Sequence, residues 1–113
     1  MAAAIAVNNF KTITHTLVSG DATTVYTAPT GYTSVFLLVQ VTNTDTSTRT
    51  LDFVHRRNGV DTEVVQNLPI VSGDTLNLLP GKLVLETGDS IAISGSTSGV
   101  MKFIASVLET SNF

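Results

Sequence analysis

The chain has 113 residues, of which 42% are hydrophobic and only 13% are charged, so it has room for one domain with one modest core and few charges to cover it. The formal net charge of −3 argues against a nucleic-acid-binding protein, which needs a concentrated positive field. Because cysteine is absent, disulfides, a thiolate metal site and a thiol nucleophile are excluded, and we expect packing alone to hold the fold and protein to cover part of its surface.

The first seven residues are apolar, but they are too few to span a bilayer, and no basic residue precedes them as in a signal peptide. We therefore predict an N-terminal arm over residues 1–8, flexible or bound to a partner, followed by one β-sandwich domain over residues 9–113. The apolar residues Ile5 and Val7 of the arm, with Phe113 at the other end, are candidates for contacts with a neighbouring protein. A membrane partner is not expected.

Residues 9–18 have the alternating pattern of a half-buried strand. Threonines occupy one side of it, and Ile13, His15 and Leu17 occupy the other. The side that carries these three residues is predicted to face the core.

A shorter strand is predicted over residues 24–27, and it ends at a turn in which Pro29 cannot donate to a ladder and Gly31 permits a positive φ. The most apolar strand follows over residues 33–42. We expect it at the centre of a sheet, covered on both sides for part of its length. Simple alternation places four of its side chains on one face: Val35, Leu37, Val39 and Val41.

Residues 43–48 form a polar loop without a hydrophobic anchor, which is typical of an exposed tip. The candidate contact residues in this loop are Asn43, Thr44 and Asp45. The next strand, over residues 50–57, ends at Asn58 and Gly59, the strongest two-residue hairpin signal in the chain. Residues 60–66 are therefore predicted to pair back on it.

Five further strands are predicted, over residues 68–71, 75–79, 82–86, 91–94 and 100–108. Turns separate them, among them a Pro-Gly turn at Gly81 and a tight Glu-Thr-Gly-Asp corner that contains Gly88 and Asp89. No window of eleven residues shows an apolar stripe of period 3.6, so no significant helix is predicted. Eight or nine short strands joined by turns and longer crossings predict an all-β fold, a single antiparallel β-sandwich of the Greek-key or jelly-roll type.

Residues that perform chemistry are scarce. His15 and His55 both fall on the apolar face of their strands, and no second ligand sits nearby at a fixed spacing, so each is interpreted as a packed or interface histidine. The serines lie in ordinary turns, where a catalytic triad is not expected. The aspartates are well separated and would form a metal site only if loops converged, whereas turn stabilisation explains most of them. We expect neither an enzyme nor a cofactor.

Positive charge is concentrated at Arg49, Arg56 and Arg57, at the two ends of one predicted strand. These residues are candidates for an interface with an acidic partner loop or phosphate. Neighbouring residues of a strand point to opposite faces, and charge on an edge strand also blocks unwanted pairing. We therefore favour edge protection or a salt bridge between subunits.

Three segments in a fixed order carry a resemblance to a known group of proteins. They are Tyr26-Thr27-Ala28-Pro29-Thr30-Gly31-Tyr32, the strand end Val41-Thr42-Asn43, and Leu79-Pro80-Gly81-Lys82-Leu83-Val84-Leu85-Glu86-Thr87-Gly88-Asp89-Ser90-Ile91. In this order they resemble small structural proteins encoded by tailed bacteriophages. The resemblance extends roughly from Phe10 to Leu108.

The resemblance implies a non-enzymatic virion component, an accessory subunit of the capsid-decoration, neck, collar or tail type. Such a subunit would be a homo-oligomer in contact with other virion proteins and would be assembled in the host cytoplasm. The alternative is a recognition module that binds a host-surface glycan or protein through residues 43–48 and 95–99. Those loops contain one aspartate and no aromatic residue, which favours the structural interpretation.

Overall fold

The structure, a computed structural model, describes residues 8–112, which form nine antiparallel strands in two sheets and no helix. The strands are β1 (Asn8–Thr16), β2 (Thr23–Thr27), β3 (Tyr32–Asn43), β4 (Arg49–Arg57), β5 (Val60–Ile70), β6 (Thr75–Asn77), β7 (Leu83–Leu85), β8 (Ser90–Gly95) and β9 (Met101–Ser111). The predicted all-β sandwich is confirmed. The predicted arm residues Ile5 and Val7, and Phe113, lie outside the described residues, while Asn8 begins β1.

The topology is a set of strand pairs nested around one hairpin. β4 pairs with β5, β3 with β6 and β7, β2 with β8, and β1 with β9. Successive pairs alternate between the sheets, so the first sheet has the order β1-β9-β3 followed by β6 and β7 along one edge, and the second has the order β2-β8-β4-β5. Because β6 and β7 together occupy one strand position, this is an eight-position jelly roll.

The hairpin at the centre of the nest forms as its sequence predicts. Asn58 and Gly59 both have positive φ, 52° and 76°, the combination that a type I′ turn requires and that asparagine and glycine tolerate best. At the Glu-Thr-Gly-Asp corner, Gly88 has φ 88° and the amide of Asp89 donates to the carbonyl of Glu86 over 2.9 Å. Both predicted turns are confirmed.

The core lies between the sheets and is built from alternate residues of the long strands. On β9, every second residue from Met101 to Ser111 is buried, which is the period of a strand with one face inside. The rings of Phe53 and Phe103, one from each sheet, meet with centroids 6.5 Å apart. Each fully buried side chain of this size contributes roughly 2 to 3 kcal/mol by leaving water.

The predicted face of β3 is wrong in its first half. A β-bulge between Phe36 and Leu38 inserts one extra residue into the pairing with β9. Phe36 is therefore fully buried while Leu37 is 43% exposed, and Val35 lies on the outer face instead of sharing the inner face with Val39. A bulge reverses the alternation locally, and strict period-two counting cannot register it.

β5 also differs from the prediction, because one eleven-residue strand replaces two shorter ones. It continues through Pro69, which lacks an N–H to donate but is tolerated because β5 is the edge of the second sheet. Two register shifts opposite Phe53, together with Asn67 at φ 50°, absorb the irregularity.

Candidate assembly surface

The outer face of the first sheet, which we call the open face, carries a row of four apolar side chains. Phe10, Leu108, Val35 and Val84 are register partners across four adjacent strands. Phe10 is 75% exposed and Val84 51%, and the other two are partly buried between them. This apolar row is continuous across the sheet and lies in solvent.

The rest of the open face is almost uncharged. Its other outward side chains are mainly threonine, with serine, asparagine, glutamine and the apolar Leu38 and Ile104, the latter 38% exposed. Among the described residues Lys102 is its one charged group. A shallow hollow of about 490 Å³, lined in part by Thr14, Thr16 and Thr42, lies beside Lys102. The lysine contacts only the Thr16 hydroxyl and the Gly99 carbonyl, each at 3.4 Å. Among the described residues, no carboxylate on this face pairs with Lys102.

The outer face of the second sheet is covered by its own charged side chains. Arg56 forms a bidentate pair with Asp61, at 2.5 and 3.2 Å, and its other nitrogen reaches Thr24 across β8 at 3.1 Å. Because this side chain crosses the sheet, the outward Val54 is only 6% exposed and Ala92 is fully buried. Asp52 is also used, since it accepts from the amide of Asn67 at 2.7 Å.

A buried carboxylate fastens the end of β4 to the corner before β8. Asp89, 3% exposed, accepts from both Nε and Nη2 of Arg57 at 2.9 and 2.6 Å, from the amide of Glu86 at 3.0 Å, and lies 3.2 Å from Nε2 of His55. The Arg57 bonds are the main reason that the pKa of Asp89 is lowered, to about 2. Arg57 also contacts Glu86 at 2.6 Å. Asp89 therefore joins the end of β4 to the corner before β8, and we call Asp89 with Arg57, His55 and Glu86 the clasp.

A second buried carboxylate lies inside the sandwich, near the edge that β1 and β2 share. Glu109 is 2% exposed. Its carboxylate accepts a hydrogen bond from the hydroxyl of Tyr26, which lies in the opposite sheet, and pairs with the ammonium of Lys11 at 3.1 Å. Burial alone would raise the pKa of Glu109, but the bonds from Tyr26 and Lys11 outweigh it and lower that pKa. Tyr26 also bonds Ser34 at 2.7 Å, and burial raises the pKa of its hydroxyl. The charge on the inward Lys11 is therefore already compensated.

The loop that contains the predicted contact residues is rigidly built. Asn43 is fully buried, and its amide donates to the carbonyls of Ser47 and Ile70 at 2.9 and 2.8 Å. Asp45 pairs with Arg49 through two nitrogens at 2.5 and 2.6 Å, and Thr44 bonds the carbonyl of Val100 at 2.6 Å. Contacts of this loop with a neighbour remain a prediction, with Thr44 and Asp45 the more accessible members.

All three predicted arginines have carboxylate partners in their own chain. Arg49 pairs with Asp45, Arg56 with Asp61, and Arg57 with Asp89 and Glu86. These ion pairs account for the three arginines without a second subunit.

The structure does not bring the remaining reactive residues together. His55 faces Asp89, whereas Asp52 lies on the opposite face of β4. Nε2 of His15 is buried without a hydrogen-bond partner. In the described part of the chain, no group of three or more His, Asp or Glu side chains is placed to hold a metal ion. Among residues 8–112, no helix is long and apolar enough to cross a membrane.

Comparison with solved structures finds the same fold in two large assemblies. A chain of Bacillus endospore appendages, described as a family of disulfide-linked pili, superposes with a TM-score of 0.58 at 16% identity, covering 94% of this chain and 87% of that one. A chain of the T13 IBDV viral particle gives a TM-score of 0.57 at 16% identity, over 92% of this chain but only 31% of that one. At these identities the likeness shows the jelly-roll fold. No protein-family model matches the chain, and no curated protein does.

The apolar row was missed by sequence reasoning, because its members come from four strands and share a row only through the register of the sheet. The one local signal is Phe10, a large apolar residue at an outward position in a strand whose other outward residues are polar.

Proposed function

We propose that this chain is a non-enzymatic structural subunit of a virion, an accessory subunit on the outside of a tailed-bacteriophage particle, in the capsid, neck, collar or tail. The observation that carries the proposal is the open face, which carries the apolar row and is nearly uncharged although it lies in solvent. Exposed apolar patches of this extent are typical of protein interaction sites. The partners are further copies of the chain and other virion proteins, met during assembly in the host cytoplasm.

The size of the open face fits a modest contact repeated many times. Four strands about 4.8 Å apart and nine residues long at about 3.3 Å each give a face of about 600 Å². Two such surfaces bury roughly 1,200 Å², the lower limit of a specific interface. The overall affinity then comes from the number of copies, because weak contacts made by linked subunits reinforce one another.

Three further findings support the proposal. The fold occurs in a pilus-like appendage and in a viral particle. The order of the Tyr-Thr-Ala-Pro turn, the Asn-ended strand and the Gly-Asp corner resembles that of tailed-phage structural proteins. The ion pairs that cover the second sheet also leave the open face as the surface on which a neighbour would bury the most apolar area.

The proposal is tested by size-exclusion chromatography with light scattering, followed by mixing with phage particles that lack the subunit and electron microscopy. We expect an oligomer that occupies regular positions on the outside of the particle. A chain that stays monomeric at high concentration and leaves the particles bare would contradict the proposal.

A recognition module is the second candidate, because the two predicted loops converge at one end of the sandwich. The amide of Ser96 donates to the carbonyl of Thr50 at 2.9 Å, and the amide of Thr44 donates to Val100 at 2.9 Å. Ser19 and Ser98 join the same end at 3.1 Å. Specific binding to host cells or to a glycan array, lost when residues 95–99 are replaced, would favour this function.

A further inference from the structure

The described part of the chain has four free sheet edges, and three of them are poor templates for another strand. β2 has five residues and a register shift, and β6 and β7 have three residues each. β5 is longer, but it carries two register shifts, a proline and acidic side chains. Short length, bulges, proline and charge are the usual means by which proteins protect edges.

β1 is neither short nor interrupted by a bulge or a proline. It pairs with β9 over nine consecutive residues without a shift. Its outer side chains are Asn8, Phe10 and three threonines. Its one charged residue, Lys11, is turned inward, a protective device, but Glu109 compensates its charge. The edge therefore offers a straight row of unpaired main-chain groups.

We propose that β1 pairs antiparallel with β1 of a second copy, about a two-fold axis at Thr12, so that the first sheets of the two copies form one continuous sheet. This inference rests on the proposed function, since it names the geometry of one contact in the assembly. A second copy is the matching occupant because β1 is the only described edge with nine regular residues, and a partner edge must match it along its length. Main-chain hydrogen bonds then supply the affinity, as in other cases of strand addition.

Pairing about Thr12 is the register that uses all nine residues. Asn8 then lies opposite Thr16 of the second copy, and Phe10 lies opposite Thr14. Phe10, which is 75% exposed at the edge of the open face, gains a neighbouring strand that covers it. The two open faces join into one surface of twice the width, and each apolar row ends at the shared edge.

The same register explains an unsatisfied atom. His15 lies opposite Asn9 of the second copy, and directly opposed residues have Cβ atoms about 5 Å apart. Nε2 of His15 is buried without a partner in the single chain. Asn9 already bonds Glu109, yet an amide has further donor and acceptor capacity. The second copy therefore brings a polar group within reach of the imidazole, and a buried unpaired group is otherwise costly.

Cysteine cross-linking tests the pair cleanly, because the chain contains no cysteine of its own. At a two-fold axis a residue faces its own copy, with Cα atoms about 4.5 to 5.5 Å apart, which is within the range of a disulfide. We expect Thr12→Cys to form a disulfide-linked dimer under mild oxidation. Thr62→Cys, an exposed threonine on the edge strand β5, is the matched control and should stay largely unlinked. An equal mixture of Asn8→Cys and Thr16→Cys should give mainly the mixed dimer.

A charged substitution at the same position provides the second test. Thr12→Glu places two like charges opposite each other across the axis and should weaken self-association at least about tenfold, whereas Thr62→Glu should leave it unchanged. Circular dichroism of both variants checks that the monomer stays folded. If the chain assembles but Thr12→Cys fails to link and Thr12→Glu has no effect, the β1 pair is wrong and the proposed function stands. If the unmodified chain remains monomeric under the same conditions, both fail.

Discussion

The two outer faces of this sandwich differ in how far charged side chains cover their apolar residues. On the second sheet, Arg56 lies across small side chains and bonds Asp61 and Thr24, so this face is covered by side chains of its own chain. On the first sheet, the apolar row crosses four strands without a charged side chain to cover it. The comparison teaches that the scarce charges of this chain are distributed unevenly between the two faces, and that among the described residues the apolar row has no charged side chain across it.

The largest expected effect comes from placing charge in the apolar row. The double variant Phe10→Asp and Val84→Asp should weaken self-association by about a hundredfold or more, because both side chains would be buried unpaired in the contact. The free energy of unfolding should change little, since both positions are exposed. Val60→Asp is the control, a comparably exposed valine (66%) in the β4–β5 hairpin. Light scattering across a concentration series measures the effect, and equal weakening by Val60→Asp would contradict the distinction between the faces.

The next largest effect is on stability in acid, and it depends on the clasp around Asp89. The pKa of this carboxyl is about 2 in the folded chain and about 3.8 when unperturbed, so its contribution is complete above pH 4 and is lost as the pH falls towards 2. We expect roughly 2 kcal/mol of stability to disappear over that range.

Asp89→Asn should be destabilised by a similar amount at pH 7, with a smaller further loss on acidification. Urea unfolding followed by circular dichroism at several pH values measures both chains. Parallel acid profiles for the variant and the parent chain would show that another carboxylate controls acid unfolding, and Glu109, whose pKa is also lowered, is the first to examine.

A smaller effect compares one cation from each outer face. Arg56→Ala should lower the free energy of unfolding by about 1 kcal/mol, through the lost ion pair and the lost cover of the small residues beneath it. Lys102→Ala should change it by less than about 0.5 kcal/mol, because Lys102 has only two long contacts. Denaturant midpoints of the two variants measure both losses of stability. Equal losses would show that Arg56 stabilises the second sheet no more than Lys102 stabilises the first.

The smallest expected effect is that of salt on assembly. Among the described residues the open face has one charged side chain, Lys102. Raising the ionic strength from 0.05 to 0.5 M should therefore change the association constant of the chain with itself by less than about threefold. Sedimentation velocity at the two salt concentrations measures this change. A tenfold weakening by salt would indicate that ion pairs, and hence the charged loops or the second face, form the contact.

Local sequence signals predicted the parts of the fold that depend on a few adjacent residues. Asn58-Gly59 sets the central hairpin and Gly88 sets the corner before β8, because positive φ is a local requirement. The alternation of Ile13 and His15 also predicted the inner face of β1 correctly, and Leu17, which directly follows the strand, is fully buried. Such signals need no knowledge of the partner strand.

What the sequence could not give depends on pairing between distant strands. The bulge at Leu37 arises from the fit of β3 against β9, and it moved Val35 from its predicted inner position to the apolar row. The partners of Arg57 and Glu109 are likewise set by the packing of separate elements. The candidate surface was therefore found only through the register, whereas the polar loop and the arginines stood out in the sequence.

The nesting of strand pairs around Asn58-Gly59 has a consequence for the order of events during biogenesis. Each pair outside the hairpin joins more distant parts of the chain, and the outermost, β1 with β9, joins its two ends. Closing so long a loop costs the most chain entropy, so we expect the pair of β1 with β9 to form late. The apolar row needs β1, β3, β7 and β9 together, so it is complete only when β9 is paired on both sides. An incomplete chain therefore lacks the continuous apolar row.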